Sequence, residues 1–170
     1  DIVSSMPQKL FANLNEIPAL SEKYQFLSPP GQSYEYIGLN MRAAARKRNP
    51  ATSDVGVRRA IAHLVNVDLL AVQVCYGLGT RIASDAPAGR PDYLNTDLPQ
   101  IPFDPTKATQ ILEAAGWKDT DGNGLRDKNI RGEDVQIVLE CIYNDNKADR
   151  QAIAEHLAEN AMKVGILIVP

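Results

Sequence analysis

Asp119, Asp121 and Asn123 alternate ahead of Gly124, and Asp127 follows three residues later. Oxygen-bearing side chains at every second position of a glycine-bent loop are what a hard cation such as calcium requires. Set on an EF-hand loop, Asp119, Asp121 and Asn123 take the first three ligand positions, Leu125 offers its carbonyl, and Asp127 stands ninth. The twelfth position is Ile130, where a bidentate glutamate should close the shell, so closure would fall to Glu133 or Asp134. The same residues also make a tight turn without an ion, since Asp, Asn and Gly bond the local backbone and tolerate left-handed conformations. A calcium loop and a bare turn are both open readings at this level.

No other constellation promises chemistry. His63 and His156 fall on separate helical stretches and neither belongs to a zinc-binding spacing, which makes them ordinary helix-surface or boundary residues. No serine sits in a nucleophile elbow. The pair in Gly77-Leu78-Gly79-Thr80 follows a helix rather than a strand, the context of a helix stop and not of a phosphate cradle. Trp117 and the six tyrosines are scattered as packing residues are. The expectation is a protein that is not an enzyme. Cys75 and Cys141 lie on apolar faces as small hydrophobes, with a disulfide between them open in an oxidising compartment.

The net charge of −3 gives no electrostatic case for nucleic acid or an anionic membrane. The cluster Arg42, Arg46, Lys47 and Arg48 reads as a solvated turn. No apolar run approaches the ~18 residues of a membrane span. A chain of 170 residues, 44% hydrophobic and 23% charged, suits one buried domain or most of one lobe of something larger. It begins with Asp1 rather than Met, and so reads as processed or excised.

The elements that must position these residues are punctuated clearly in places. Asp104 stands at an N-cap with Pro105 at the first helical position. Ala108, Ile111, Leu112 and Ala115 recur at helical spacing, and Gly116 supplies a left-handed stop. Asp54 caps another helix with Val57, Ile61, Leu64 and Val65 inward, and Asp68 opens a third that Gly77 closes. Ser5 is expected to cap a short helix carrying Leu10, Phe11 and Leu14. Strands are expected at Asp1–Val3, at Tyr34–Met41 and over Val135–Ile142, where apolar residues alternate. Residues 42–53 read as a linker or excursion and 80–102 as a long ordered loop. A last helix from about Lys147 to Val164, stopped by Gly165, leads into a buried strand at Ile166–Val169. Strand, helix, strand is a βαβ-type crossover, and the class is α/β.

Several of these blocks, in order, resemble the extracellular solute-binding proteins of peptide- and nickel-type ABC importers. They are Asp1-Ile2-Val3 with Tyr34 to Asn40, the helix DVGVRRAIAHLVNVD, the segment Tyr76 to Thr80 leading to Ala86-Pro87-Ala88-Gly89, the stretch FDPTKATQILEAAGWKDTDGNGLRD, and Gly165-Ile166. His63 and Val67 depart from the usual pattern. The resemblance implies a periplasmic-binding-protein-like, type II clamshell fold. Residues 1–41 would be the end of the first lobe and a hinge strand, and residues 42–170 an incomplete second lobe. It implies capture of a small solute, above all a peptide, for a membrane permease, in the periplasm or on a cell-surface lipid anchor. No residue here matches the family's ligand-receiving motif, so ligand-binding residues are not assigned; the loop from Arg81 to Tyr93 is the expected cleft-facing segment. A calcium-binding structural module built on Asp119–Asp127 is the alternative function.

Overall fold

A computed structural model describes residues 2–170, apart from the side chains of Arg46 and Arg48 in the basic cluster. In chain order the elements are α1 (Gln8–Asn15), α2 (Pro18–Ser21), α3 (Ala43–Arg48), a 3₁₀ turn (Pro50–Ser53), α4 (Val55–Ala62), α5 (Val67–Gln73), a second 3₁₀ turn (Pro91–Tyr93), α6 (Pro105–Ala114), β1 (Asp127–Ile130), β2 (Glu133–Gln136), β3 (Val138–Glu140), α7 (Ala148–Met162) and β4 (Leu167–Val169). They fall into two compact units, one of Asp1–Tyr36 with Val67–Gln100, the other of Ile37–Asn66 with Ile101–Pro170.

The second unit holds a continuous apolar core. Val57, Ala60, Ile61 and Leu64 from α4 and its last turn meet Ala108 and Leu112 of α6, Trp117, Leu157 and Ala161 of α7, and Ile137, Leu139, Ile166 and Ile168 from the strand region. Both capped helices start as their sequences dictate. The Asp54 carboxylate accepts from the Gly56 N–H at 2.7 Å, and that of Asp104 from the Lys107 N–H at 2.8 Å. The stop of α6 is a Schellman motif: Gly116, at φ 84°, donates to the Glu113 carbonyl while Trp117 donates to that of Leu112. Helices α4 and α6 approach so closely at Gly56 that a Cβ there would lie 2.5 Å from the Ala115 Cβ.

The crossover is present. Strands β3 and β4 pair in parallel, Leu139 opposite Ile168, with α7 between them. The single strand expected over Val135–Ile142 is instead two. Strand β2 pairs with β1 in an antiparallel hairpin, and the chain changes sheet at the fully buried Ile137. That residue donates its N–H to Arg126 and accepts at its carbonyl from Leu167, so its two backbone groups serve different sheets. The hairpin turns through Arg131 (φ 58°) and Gly132 (φ 90°), both left-handed, which is the type I′ geometry that matches strand twist.

Other expectations are corrected. Ile2 and Val3 are exposed and in no regular element, and Asp1 lies outside the described residues. Ser5 does not cap α1; Pro7 stands at that position and Ser5 adopts φ 58°. Tyr34–Met41 is not a strand, although its alternation is real: Ile37 and Leu39 pack against the core while Gly38 and Asn40 face out. The alternation lacks a ladder partner among the described residues. Residues 42–53 are not a linker, because they fold into α3 and a 3₁₀ turn with Ala51 and Thr52 buried. The turn is fixed by Arg58, which donates to the carbonyls of Thr52 and Ser53. Helix α5 starts at Val67 and ends at Gln73, short of Gly77. Cys75 and Cys141 are each half-buried, and burial pushes the Cys141 thiol up.

Candidate functional site

The Asp-rich loop hangs from a two-way backbone pair: Lys118 donates to the Asp127 carbonyl at 3.1 Å, and Asp127 returns the bond at 2.8 Å. Within it the carboxylates are occupied by the loop's own donors. Asp119 accepts from the N–H groups of Gly122 and Gly124 at 2.8 and 3.0 Å. Asp121 accepts from the backbone and side-chain amides of Asn123, and Asn123 Oδ1 accepts from the N–H of Leu125. Asp127, almost fully buried, accepts from the Thr120 hydroxyl at 2.6 Å and the Thr120 N–H at 2.9 Å. Those two bonds hold its carboxyl below the usual range against the opposing pull of desolvation.

Four of the five sequence-nominated donors are therefore side chains of one small loop, and Leu125 is tied to it by its N–H. One oxygen each from Asp119, Asp121 and Asp127 lies within 4.8 Å of the others. Ile130 at the twelfth position lies in β1 and packs against the core. Of its possible replacements, Asp134 is bonded to the Asn129 side chain at 2.8 Å, and Glu133 is exposed in β2. Asp121, Asp127 and Asp134 nevertheless border one surface hollow of about 510 Å³, together with Asn49, Thr120 and Gln136.

The residues around the loop fasten it to the core. Arg126 donates to the Val164 and Trp117 carbonyls, both at 2.8 Å, and meets Glu113 at 3.3 Å. Asp54, besides capping α4, accepts from Trp117 Nε1 at 3.0 Å and Lys128 Nζ at 3.1 Å, and Lys128 also reaches the Ala115 carbonyl. Burial pushes the Asp54 carboxyl up, but the bonds from Trp117, Lys128 and Gly56 together outweigh it and leave the group below its ordinary range. Sequence reasoning missed this cluster, because Asp54 lies more than sixty residues before Trp117 and Lys128. The available signal was Trp117, since a buried indole N–H needs an acceptor.

In the first unit, Arg81 meets Asp68 at 3.1 Å, and Gly89 approaches residues 30–32 so closely that a Cβ would lie 2.6 Å from the Gly31 carbonyl oxygen. Gln32 donates to the Gly89 carbonyl, and the Arg90 guanidinium lies over the Tyr93 ring. The 81–93 segment is thus an ordered loop, with a 3₁₀ turn at its end. His63 and His156 both lie in the second unit. His63 Nδ1 is 2.9 Å from the Pro102 carbonyl, and the half-buried His156 accepts from the Asn66 N–H.

These features define a class: an α/β scaffold whose most distinctive loop serves first to join a helix to a hairpin. The family model for bacterial extracellular solute-binding proteins, family 5 (middle), matches residues 1–169, and the chain belongs to that family. It is 31% identical over 135 residues to the oligopeptide-binding protein AppA of Bacillus subtilis, covering 79% of this chain and 23% of that protein. It is 29% identical over 160 residues to the nickel-binding periplasmic protein of Escherichia coli, covering 94% and 28%. The oligopeptide-binding protein of Thermus thermophilus, solved with a pentapeptide, shares the fold with a TM-score of 0.72 at 22% identity, over 93% of this chain and 27% of that one. The resemblance read from the sequence blocks and the α/β class are borne out. The chain spans roughly a quarter of the length of these relatives.

Proposed function

We propose that the protein containing this chain captures a small solute, above all a peptide, outside the cytoplasmic membrane and delivers it to an ABC permease. The observation that carries this reading is the family match over residues 1–169. Relatives named for oligopeptides and for nickel support a solute-binding role and leave peptide as the preferred cargo. The parent protein works in the periplasm or from a cell-surface lipid anchor and catalyses no reaction. Residues 1–41 end one lobe and form a hinge, and residues 42–170 contribute most of the other. The solute is held by burial between lobes and by backbone hydrogen bonds indifferent to side-chain identity, with the Arg81–Tyr93 loop at the cleft. Calorimetric titration of a random peptide pool into the full-length protein tests this. Saturable binding is expected there and none with residues 1–170 alone; a full-length protein that ignores peptides sinks the peptide reading.

The convergence of Asp119, Asp121 and Asp127 favours a second reading of the loop, as a calcium site that stiffens the scaffold. With Ile130 in place of a closing glutamate, affinity would be weak. A melting temperature raised by millimolar calcium and returned by chelator supports it. An unchanged melt leaves Asp119, Asp121, Asn123, Leu125 and Asp127 as a turn.

A further inference from the structure

The chain leaves the second unit after Asn66 and returns to it at Ile101. Its two histidines stand at these two points. His156, on α7, accepts from the Asn66 N–H at Nε2, 3.1 Å away. His63, at the end of α4, places Nδ1 2.9 Å from the Pro102 carbonyl, and its own carbonyl accepts from the Asp104 N–H. Phe103 packs beside the His156 ring, with centroids 6.3 Å apart.

The two contacts make opposite demands on their rings. A carbonyl oxygen only accepts, so His63 Nδ1 must carry a proton, and a second proton on Nε2 leaves that bond intact. A backbone N–H only donates, so His156 Nε2 must keep its lone pair, and the bond exists only with a neutral ring. The Asn160 side-chain amide, 3.1 Å from the same nitrogen, shares that lone pair and is held by the His156 carbonyl. We propose that His156 is an acid-released latch on the departing chain at Asn66, while His63 is an acid-resistant clasp on the returning chain at Pro102.

The surroundings support this assignment. Burial pushes the His156 ring down, Glu159 pulls it up and Lys163 lowers it again, with the net effect downward. The neighbouring segments bring His63, bonded to Pro102, and Asp104, whose carboxylate is bonded to the Lys107 N–H. A neutral ring is thus favoured near neutrality, and the proton enters only as pH falls below the ordinary histidine value. The proposal does not depend on which solute the parent protein takes.

Amide hydrogen exchange on the full-length protein between pH 7.5 and 4.5 tests it. The Asn66 protection factor, corrected for intrinsic exchange, should fall by up to about tenfold per pH unit below about pH 6.5, while that of Ile137 holds. His156→Gln, which keeps an acceptor but does not titrate, should make Asn66 protection independent of pH; His63→Gln should leave the wild-type pH dependence at Asn66. Flat Asn66 protection in the wild-type protein, parallel loss at Ile137, or an unchanged pH profile in His156→Gln would each overturn the proposal.

Discussion

Asp54 serves three donors from three parts of the chain, and that concentration sets the cost of losing it. Asp54→Ala removes an N-cap, about 1 kcal/mol, and strands the buried Trp117 N–H, about 1–3 kcal/mol more. Urea denaturation should show a lower midpoint with an unchanged slope. A double-mutant cycle with Trp117→Phe should return a coupling of at least about 0.5 kcal/mol, because both changes break one bond. The pH dependence has a definite sign. The carboxyls of Asp54 and Asp127 lie below their ordinary values in the folded chain, so their contribution is complete above about pH 4. It is lost as pH falls through the lower folded values. His156 also lies below its ordinary value, so its contribution is complete above about pH 6.5 and is lost below it. Acid should therefore weaken the fold in two steps, and the upper one should vanish in His156→Gln.

Among the elements, α4, α6, α7 and β4 were legible, whereas α3 and the β1–β2 hairpin were not. Asp54, Asp104, Pro105 and Gly116 act through neighbours two to five residues away, so their meaning is local and survives in the sequence. The hairpin was missed because its turn is Arg131-Gly132 rather than the commoner Asn-Gly pair, and because β1 offers only Ile130 as an aliphatic residue. Tyr34–Met41 has strand periodicity, but a ladder also needs a partner, and none stands beside it among the described residues. The Asp-rich loop was legible as a list of oxygens. What the sequence left open was whether an ion or the loop's own N–H groups would take them, and in the structure the N–H groups do. Gly56→Ala should cost about 1–3 kcal/mol by forcing α4 against Ala115, and Ala115→Gly should recover part of that loss; thermal melts of the two variants and their combination decide. Gly132→Ala should cost about 1 kcal/mol, through the left-handed backbone alone, since nothing lies within 4 Å of its would-be Cβ.

For the molecule as a whole, the family was readable because its signatures are structural. The segment from Phe103 to Asp127 contains a cap, a Schellman stop, a closed loop and the arginine that pins it to the core residues Trp117 and Val164. Under the proposed function, recognition through backbone groups imposes few side-chain requirements, so solute choice would leave no comparable mark in residues 1–170. Substitution of Asp121 should therefore shift the melting temperature modestly and leave the affinity of the full-length protein for peptide within about twofold. A large loss of affinity with an unchanged melt would place the loop at the ligand instead.

Ile137 carries a consequence for how such a sequence can drift. Its amide and carbonyl belong to separate sheets, so the residue acts as a common origin from which both are counted. One residue added or removed there would turn Leu139 outward and Val138 inward, because side chains alternate with a period of two. Neither sheet can absorb the slip without passing it to the other. Around Ile137 this chain tolerates a change of letter better than a change of length, and a one-residue deletion at this point should abolish folding where most single replacements would only weaken it.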